Sequence, residues 1–173
     1  MEIVNITATV EMEEKFDLDE LLNVLPNSQK AHFWVKVRIP PYDKYTAFYG
    51  SGKFLVTGAS SYKELYEIAD NVVNFLKNHG IVNNIKKINI NNHVLTDKLN
   101  FNVNLDDLII KLDSANASYE PEQFPGLIYK YEDKITFMLF NTGKMNIAGV
   151  KSLKNIEERI NSFKQMIYEK SLE

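Results

Sequence analysis

The chain has no cysteine among its 173 residues, which excludes disulfides and thiolate metal sites and fits an intracellular protein. Histidine is nearly as scarce. His32, His79 and His93 share no ligand spacing, and two of them adjoin loops or helix ends, so neither a metal site nor a cofactor is expected. No apolar run approaches the roughly 20 residues of a membrane-spanning helix, and no signal peptide is expected at the start. Charge of one sign is also missing. The net charge is −3, so an acidic partner could be met only by positive charge sorted onto one face. Gly50-Ser51-Gly52-Lys53 resembles a phosphate loop only superficially: Leu55 stands where a dinucleotide fingerprint needs its third glycine, and the Walker spacing is absent. It reads as a hairpin turn. Glu11, Glu13 and Glu14 read as a solvated edge. No nucleophile–base pair emerges, and an enzyme is not expected.

What is present is ordinary in bulk and organised in detail. Hydrophobic residues make up 45% and charged residues 25%, which suits a globular chain with a real core. The organising stretch runs over 118–149. It holds two phenylalanines beside turn-formers, Phe124 before Pro125-Gly126 and Phe140 before Asn141-Thr142-Gly143, the chemistry of hairpin tips. Such rings either close a local apolar cluster or are displayed for a partner. The stretch has an earlier copy over 33–61. An offset of 91 sets Phe33 on Phe124, Tyr49 on Phe140, Gly52-Lys53 on Gly143-Lys144, Gly58 on Gly149 and Ser61 on Ser152 without a gap. Upstream, an offset of 87 sets Asn5 on Asn92 and Leu18 to Leu21 on Leu105 to Leu108, leaving the first copy four residues short between Leu25 and Phe33. Two half-domains related by a pseudo-two-fold axis are expected, over 1–84 and 85–173.

Each half reads strand, short helix, meander of strands, long helix. Residues 2–10 alternate, with Asn5, Thr7 and Thr9 on one face and Val4, Ile6, Ala8 and Val10 on the other. Asp17 with Glu20, and Ser61 with Glu64, suggest capping boxes. Ser152 is expected to cap the last helix, with Ile156, Ile160, Phe163 and Ile167 inward. The order predicts an α+β fold: an antiparallel sheet with helices on one face and the other face open for binding. Acidic residues such as Asp17, Glu64, Asp70, Asp106 and Glu157 concentrate on the helices. Basic residues punctuate the strands and hairpins: Lys36, Arg38, Lys44, Lys53, Lys130, Lys134 and Lys144. A mildly acidic total can thus coexist with a positive sheet face.

The run from Tyr119 to Tyr129 (Tyr-Glu-Pro-Glu-Gln-Phe-Pro-Gly-Leu-Ile-Tyr), followed by Phe140-x-x-Gly143-Lys144 and Gly149, resembles the second-repeat signature of the TATA-box-binding protein family, in its archaeal form. The resemblance implies a saddle: a curved antiparallel sheet of two tandem repeats with four helices on its convex face. The concave face would sit on the DNA minor groove, with end phenylalanines wedged between base steps. These proteins are themselves a standing example of that mechanism, so it is taken over with the resemblance. The groove mainly separates A·T from G·C, which suits a surface of small, apolar and a few hydrogen-bonding groups. Matched to the family's DNA-contacting positions are the central Asn5 and Asn92, the strand faces Thr7, Thr9, Val94 and Thr96, and the pairs Leu55/Thr57 and Asn146/Ala148. Phe124 with Phe140, and Phe33 with Tyr49, match the two wedges. Ser51, Lys53, Lys130, Thr142 and Lys144 match phosphate contacts. Glu120 and Glu122 lie on the loop that engages transcription factor B.

The resemblance further implies AT-rich double-stranded DNA and transcription factor B as partners, RNA polymerase indirectly, no membrane, a homodimer when free of DNA, and a place in the cytoplasm at the nucleoid. The chain departs from the pattern in places. The first repeat lacks the Tyr-x-Pro-Glu-Gln run and has Trp34-Val35 where Pro-Gly is expected. Tyr49 replaces a phenylalanine, Ala148 a threonine and Asn146 an apolar residue, as in a divergent paralogue. Three functions follow: a DNA-bending initiation factor, a paralogue regulating through protein contacts, or an auxiliary nucleic-acid-gripping domain. The last is disfavoured because no catalytic domain is attached.

Overall fold

A computed structural model describes residues Met1–Leu172, Asp133 by its backbone alone; Glu173, the last position of the expected second repeat, lies outside the described residues. In chain order the elements are β1 (Glu2–Met12), α1 (Leu18–Val24), β2 (Gln29–Lys30), β3 (Trp34–Ile39), β4 (Lys44–Tyr49), β5 (Lys53–Ala59) and α2 (Tyr62–Asn78). Then come β6 (Ile85–Lys98), α3 (Leu105–Lys111), β7 (Ala117–Ser118), β8 (Leu127–Lys130), β9 (Thr136–Leu139), β10 (Lys144–Val150) and α4 (Ile156–Leu172). Two compact units result, one of Asn5–Asn91 and one of Met1–Val4 with the chain from Asn92 onward. In the first, the strands run β1-β5-β4-β3-β2; in the second, β6-β10-β9-β8-β7. The same path is drawn twice, with antiparallel pairings. The α+β fold with four helices and an open antiparallel sheet is therefore present, and the internal repeat is a repeat of topology.

Local chemistry accounts for the elements. Asp17 accepts hydrogen bonds from the amides of Asp19 and Glu20, and Asn104 does the same for Asp106 and Asp107, so α1 and α3 start at matched positions. Ser61 caps α2 by accepting from the Glu64 amide. The Glu64 carboxylate does not return to Ser61, however; it takes the amide and hydroxyl of Ser60, which hold its carboxyl below the usual range. The expected cap at Ser152 is not formed. Ser152 Oγ accepts from the Lys154 amide, Asn155 adopts φ +60°, and α4 begins only at Ile156. The turn around Asn155 takes up what is helix in the first repeat.

The offset of 91 nevertheless holds for what the long helices bury. Leu65, Ala69, Val72 and Leu76 are at most 1% exposed, and their counterparts Ile156, Ile160, Phe163 and Ile167 at most 2%. In the second unit these pack with Leu95, Leu127, Phe137, Leu139, Met145 and Ile147. Phe137 and Phe163 stack with centroids 3.9 Å apart and planes within 8°. Asp97 anchors the edge, its carboxylate 3.0 Å from Lys164 Nζ and 3.6 Å from the Met1 amino group. Burial opposes its charge, but the Lys164 contact, the Lys98 amide and the nearby positive charges outweigh that and lower its pKa.

Two expectations are corrected by register. Val4 was assigned to the buried face of β1 but is 45% exposed; burial begins at Ile6. The gapless match also fails on β3. Val35 pairs with Phe48, and Leu127 with Leu139; Phe48 and Leu139 are 91 apart, whereas Val35 and Leu127 are 92 apart. The difference lies in the turns joining β3 to β4 and β8 to β9. Trp34, not Val35, consequently stands level with Gly126.

Candidate nucleic-acid interface

The helices cover one sheet face in each unit, and alternation puts the expected site residues on the other. Along β1, Asn5, Thr7 and Thr9 are half-buried between the fully buried Ile6, Ala8 and Val10. Thr9 lies level with Leu55 of β5, and Lys53, Leu55 and Thr57 share a face by the same period of two. In the second unit Thr96 lies level with Asn146, and Asn146 with Met138. Met138 in turn faces Ile128. Val94, Asn92 and Ala148 continue that face, all half-buried. Lys130 ends the next row, level with Thr136 and Ala148. The face is therefore small, weakly polar and apolar in the middle, with lysines at its margins.

The second unit's margin carries charge with no ion pair among the described residues, whereas Lys53 in the first lies level with Glu11. Lys144 is paired directly with Lys98 across β10 and β6, both exposed. Like charges in that position repel, and an anion would relieve them. Lys53 and Lys144 both follow left-handed glycines, Gly52 (φ +85°) and Gly143 (φ +77°), beside the exposed Ser51 and Thr142. A Cβ on Gly143 would fall 2.3 Å from the Phe101 carbonyl, so only glycine permits this tight return. One feature of the face was missed from sequence, its apolar middle, and two basic groups expected on the strands and hairpins acquire particular neighbours. Met138 and Ile128 belong to its apolar middle, which the alternation with Phe137 and Leu127 would have revealed. Lys36 and Arg38 flank the Tyr45 ring at 3.9 and 5.0 Å; Arg38 falls level with Lys130 once the register is corrected. Lys134, Lys151, Lys154 and Arg159 line a cavity of about 410 Å³ with Gly149 and Ser152.

The two proposed ring pairs are built differently. Phe124 and Phe140 meet edge to face, centroids 5.8 Å apart. They lie over Gly126, where a Cβ would come 2.7 Å from Phe124 Cε1 and 3.0 Å from Phe140 Cε1. The amides of Gln123 and Phe124 both donate to the Glu120 carbonyl at 2.9 Å, folding 119–126 into a turn that fixes Phe124 and leaves Glu120 and Glu122 exposed. In the first unit the connection is only 31–33. Phe33 is 75% exposed, and its ring meets His32 at 5.4 Å. Tyr49 lies opposite Trp34, which occupies the place of Gly126. The sequence match thus brings together Phe124 with Phe140, but not Phe33 with Tyr49.

Among the described residues no cluster of three or more His, Asp or Glu could hold a metal ion, and no helix is long and apolar enough to cross a membrane.

A twice-repeated α+β unit with an open, lysine-edged face defines a class of two-repeat binding proteins. The family model for "Transcription factor TFIID (or TATA-binding protein, TBP)" matches residues 1–79 and 87–170, and the chain belongs to this family. A TATA-box-binding protein of Pyrodictium occultum is 37% identical over 97% of this chain and 84% of its own length. One from Sulfurisphaera tokodaii is 36% identical over 99% and 86%. The solved structure titled Methanococcus jannaschii TBP superposes with a TM-score of 0.82 at 30% identity, covering 97% of this chain and 98% of that one.

Proposed function

We propose that this chain is a general transcription initiation factor that binds and bends AT-rich promoter DNA through the minor groove and recruits transcription factor B. The repeats 1–84 and 85–173 act as two halves of one binding domain. The observation that carries the reading is the open face of each unit: asparagine, threonine and small apolar groups in the middle, and lysines at the edges, chief among them the opposed Lys98 and Lys144. A groove floor of A·T acceptors calls for the first, and flanking phosphates for the second. Binding to AT-rich and GC-rich duplexes across a salt series tests it. Affinity is expected to favour AT-rich DNA and to fall steeply with salt. Lys144→Ala should weaken binding to all sequences alike and reduce the salt slope by about one. Equal binding to both duplexes at every salt concentration would exclude this function.

Glu120 and Glu122 project from the turn that holds Phe124, and no hydrogen bond or ion pair engages their carboxylates among the described contacts. Exposed acidic groups on a rigid turn suit a basic partner surface. Transcription factor B is the proposed partner, with RNA polymerase engaged through it. Reversing both to lysine is expected to abolish the ternary complex in a gel-shift assay while binary DNA binding stays within about twofold, since neither side chain lies on the sheet face. Unchanged ternary assembly would place the contact elsewhere. The short connection and Trp34 of the first unit favour a second reading, a paralogue with altered DNA reading that regulates through protein contacts; weak, sequence-blind DNA binding in the same salt series would select it.

A further inference from the structure

The two central asparagines sit at matched positions but have different surroundings. On β5 the pairing with β1 slips between Ile6↔Ala59 and Ala8↔Val56, a bulge that turns the peptide of Gly58 (φ +84°) out of the ladder. Both of its polar groups are then taken by side chains. Its amide donates to Asn5 Oδ1 at 2.7 Å, and its carbonyl accepts from Lys44 Nζ at 2.9 Å. Only the oxygen of a carboxamide can receive an N–H, so this bond orients the amide of Asn5 and leaves Nδ2 as the free end. Thr57, exposed beside it, adds a hydroxyl. In the second unit the pairing slips in the same place, between Ile147 and Val150. There, however, Asn92 Oδ1 is buried and accepts no hydrogen bond among the described residues. Ile135 replaces Lys44, and Ala148 replaces Thr57.

We propose that Asn5 is a locked donor and Asn92 an unlocked amide, so that the first unit discriminates against G·C and the second does not, with Lys44 and Gly58 as positioning residues. The inference rests on the proposed minor-groove function. A fixed Nδ2 donor matches adenine N3 and thymine O2 and is opposed by the guanine N2 amine, the one feature that distinguishes G·C in that groove. An amide free to turn over can meet that amine with its oxygen. Hydrogen-bond reading is thereby concentrated in the unit that lacks an assembled ring pair, and wedging in the other.

The test is competition binding with a panel of AT-rich duplexes, each carrying one G·C pair at a successive position. For the wild-type chain the loss in affinity is expected to be lopsided: roughly tenfold or more at central positions of one half-site, against less than about threefold in the other. Asn5→Ala should flatten the profile, and Lys44→Met should lower its peak measured relative to that variant's own all-AT affinity. Asn92→Ala should leave the lopsided profile in place. A symmetric wild-type profile overturns the inference while leaving DNA binding intact, as does a profile flattened by Asn92→Ala and not by Asn5→Ala. Failure to prefer any AT-rich duplex overturns the underlying function as well, and is told apart by equal binding to the all-AT reference and to a GC-rich duplex, or by binding to neither.

Discussion

Replacing Phe124 and Phe140 together by alanine is expected to remove most of the DNA bend and to lower affinity on the order of a hundredfold, whereas replacing Phe33 and Tyr49 should cost less than about fivefold. Opening a base step costs a few kcal/mol, which only a rigid wedge can recover. The second unit supplies one: two rings edge to face at 5.8 Å, seated over a glycine whose missing Cβ makes room for both. In the first unit Trp34 fills the corresponding place, Phe33 lies 75% exposed with His32 as its ring neighbour, and Tyr49 carries a hydroxyl. That hydroxyl must leave water to enter a base stack, a penalty unless it finds a partner. An exposed ring with few packing partners also loses side-chain entropy on insertion. End-to-end fluorescence transfer on a labelled duplex reads the bend, and titration reads the affinity. Gly126→Ala separates geometry from chemistry, since it keeps both phenylalanines but displaces their rings; an intermediate bend is expected. If the first-unit pair loses as much bend and affinity as the second-unit pair, the two ends are equivalent and the idea fails.

Much of this arrangement is readable from residue types, because it depends on local rules. The alternation of Asn5, Thr7 and Thr9 with Ile6, Ala8 and Val10 places them on opposite faces whatever their neighbours do. Asp17 starts α1 through a side-chain acceptor that needs nothing beyond the next turn. What escapes is whatever depends on the count of residues in a turn. Paired positions are 12 apart across β8 and β9 (Leu127↔Leu139) but 13 apart across β3 and β4 (Val35↔Phe48), which moves Trp34 onto Gly126 and Arg38 onto Lys130, and a sequence match that needs no gap conceals it. Ser152 fails as a cap for a similar reason: its counterpart Ser61 directly precedes a helix, but here the left-handed Asn155 intervenes. The Asn5–Gly58 bond was also out of reach, since it spans 53 positions and exists only because of a bulge.

Phe163→Ala is expected to cost about 3–5 kcal/mol of stability, and Val72→Ala at the matched position of α2 markedly less. Both side chains are at most 1% exposed, so exposure does not separate them; volume and partners do. Phe163 stacks on Phe137 at 3.9 Å and lies 5.6 Å from the Tyr129 ring. Truncation would remove a whole ring from three packed aromatics and leave a cavity that β-strand neighbours held by ladder hydrogen bonds cannot collapse to fill. Phe137 has Thr46 as its counterpart, a buried residue without a ring, so the first unit has no such stack. Its aromatic bulk sits elsewhere, with Phe48 at 5.4 Å from Phe16 and 5.7 Å from Phe54. Denaturant titration of each variant measures the difference, and an unchanged m-value would confirm that stability and not compactness has moved. Phe163→Leu serves as the control, since it keeps most of the volume and should recover a large part of the loss. The stack lies under Tyr129 of β8, the strand that begins directly after Gly126, so Phe163→Ala should also loosen the seat of the ring pair and reduce DNA bending at temperatures where the variant is still folded. A loss no greater than that of Val72→Ala would mean that the second unit's stability does not depend on its aromatic stack.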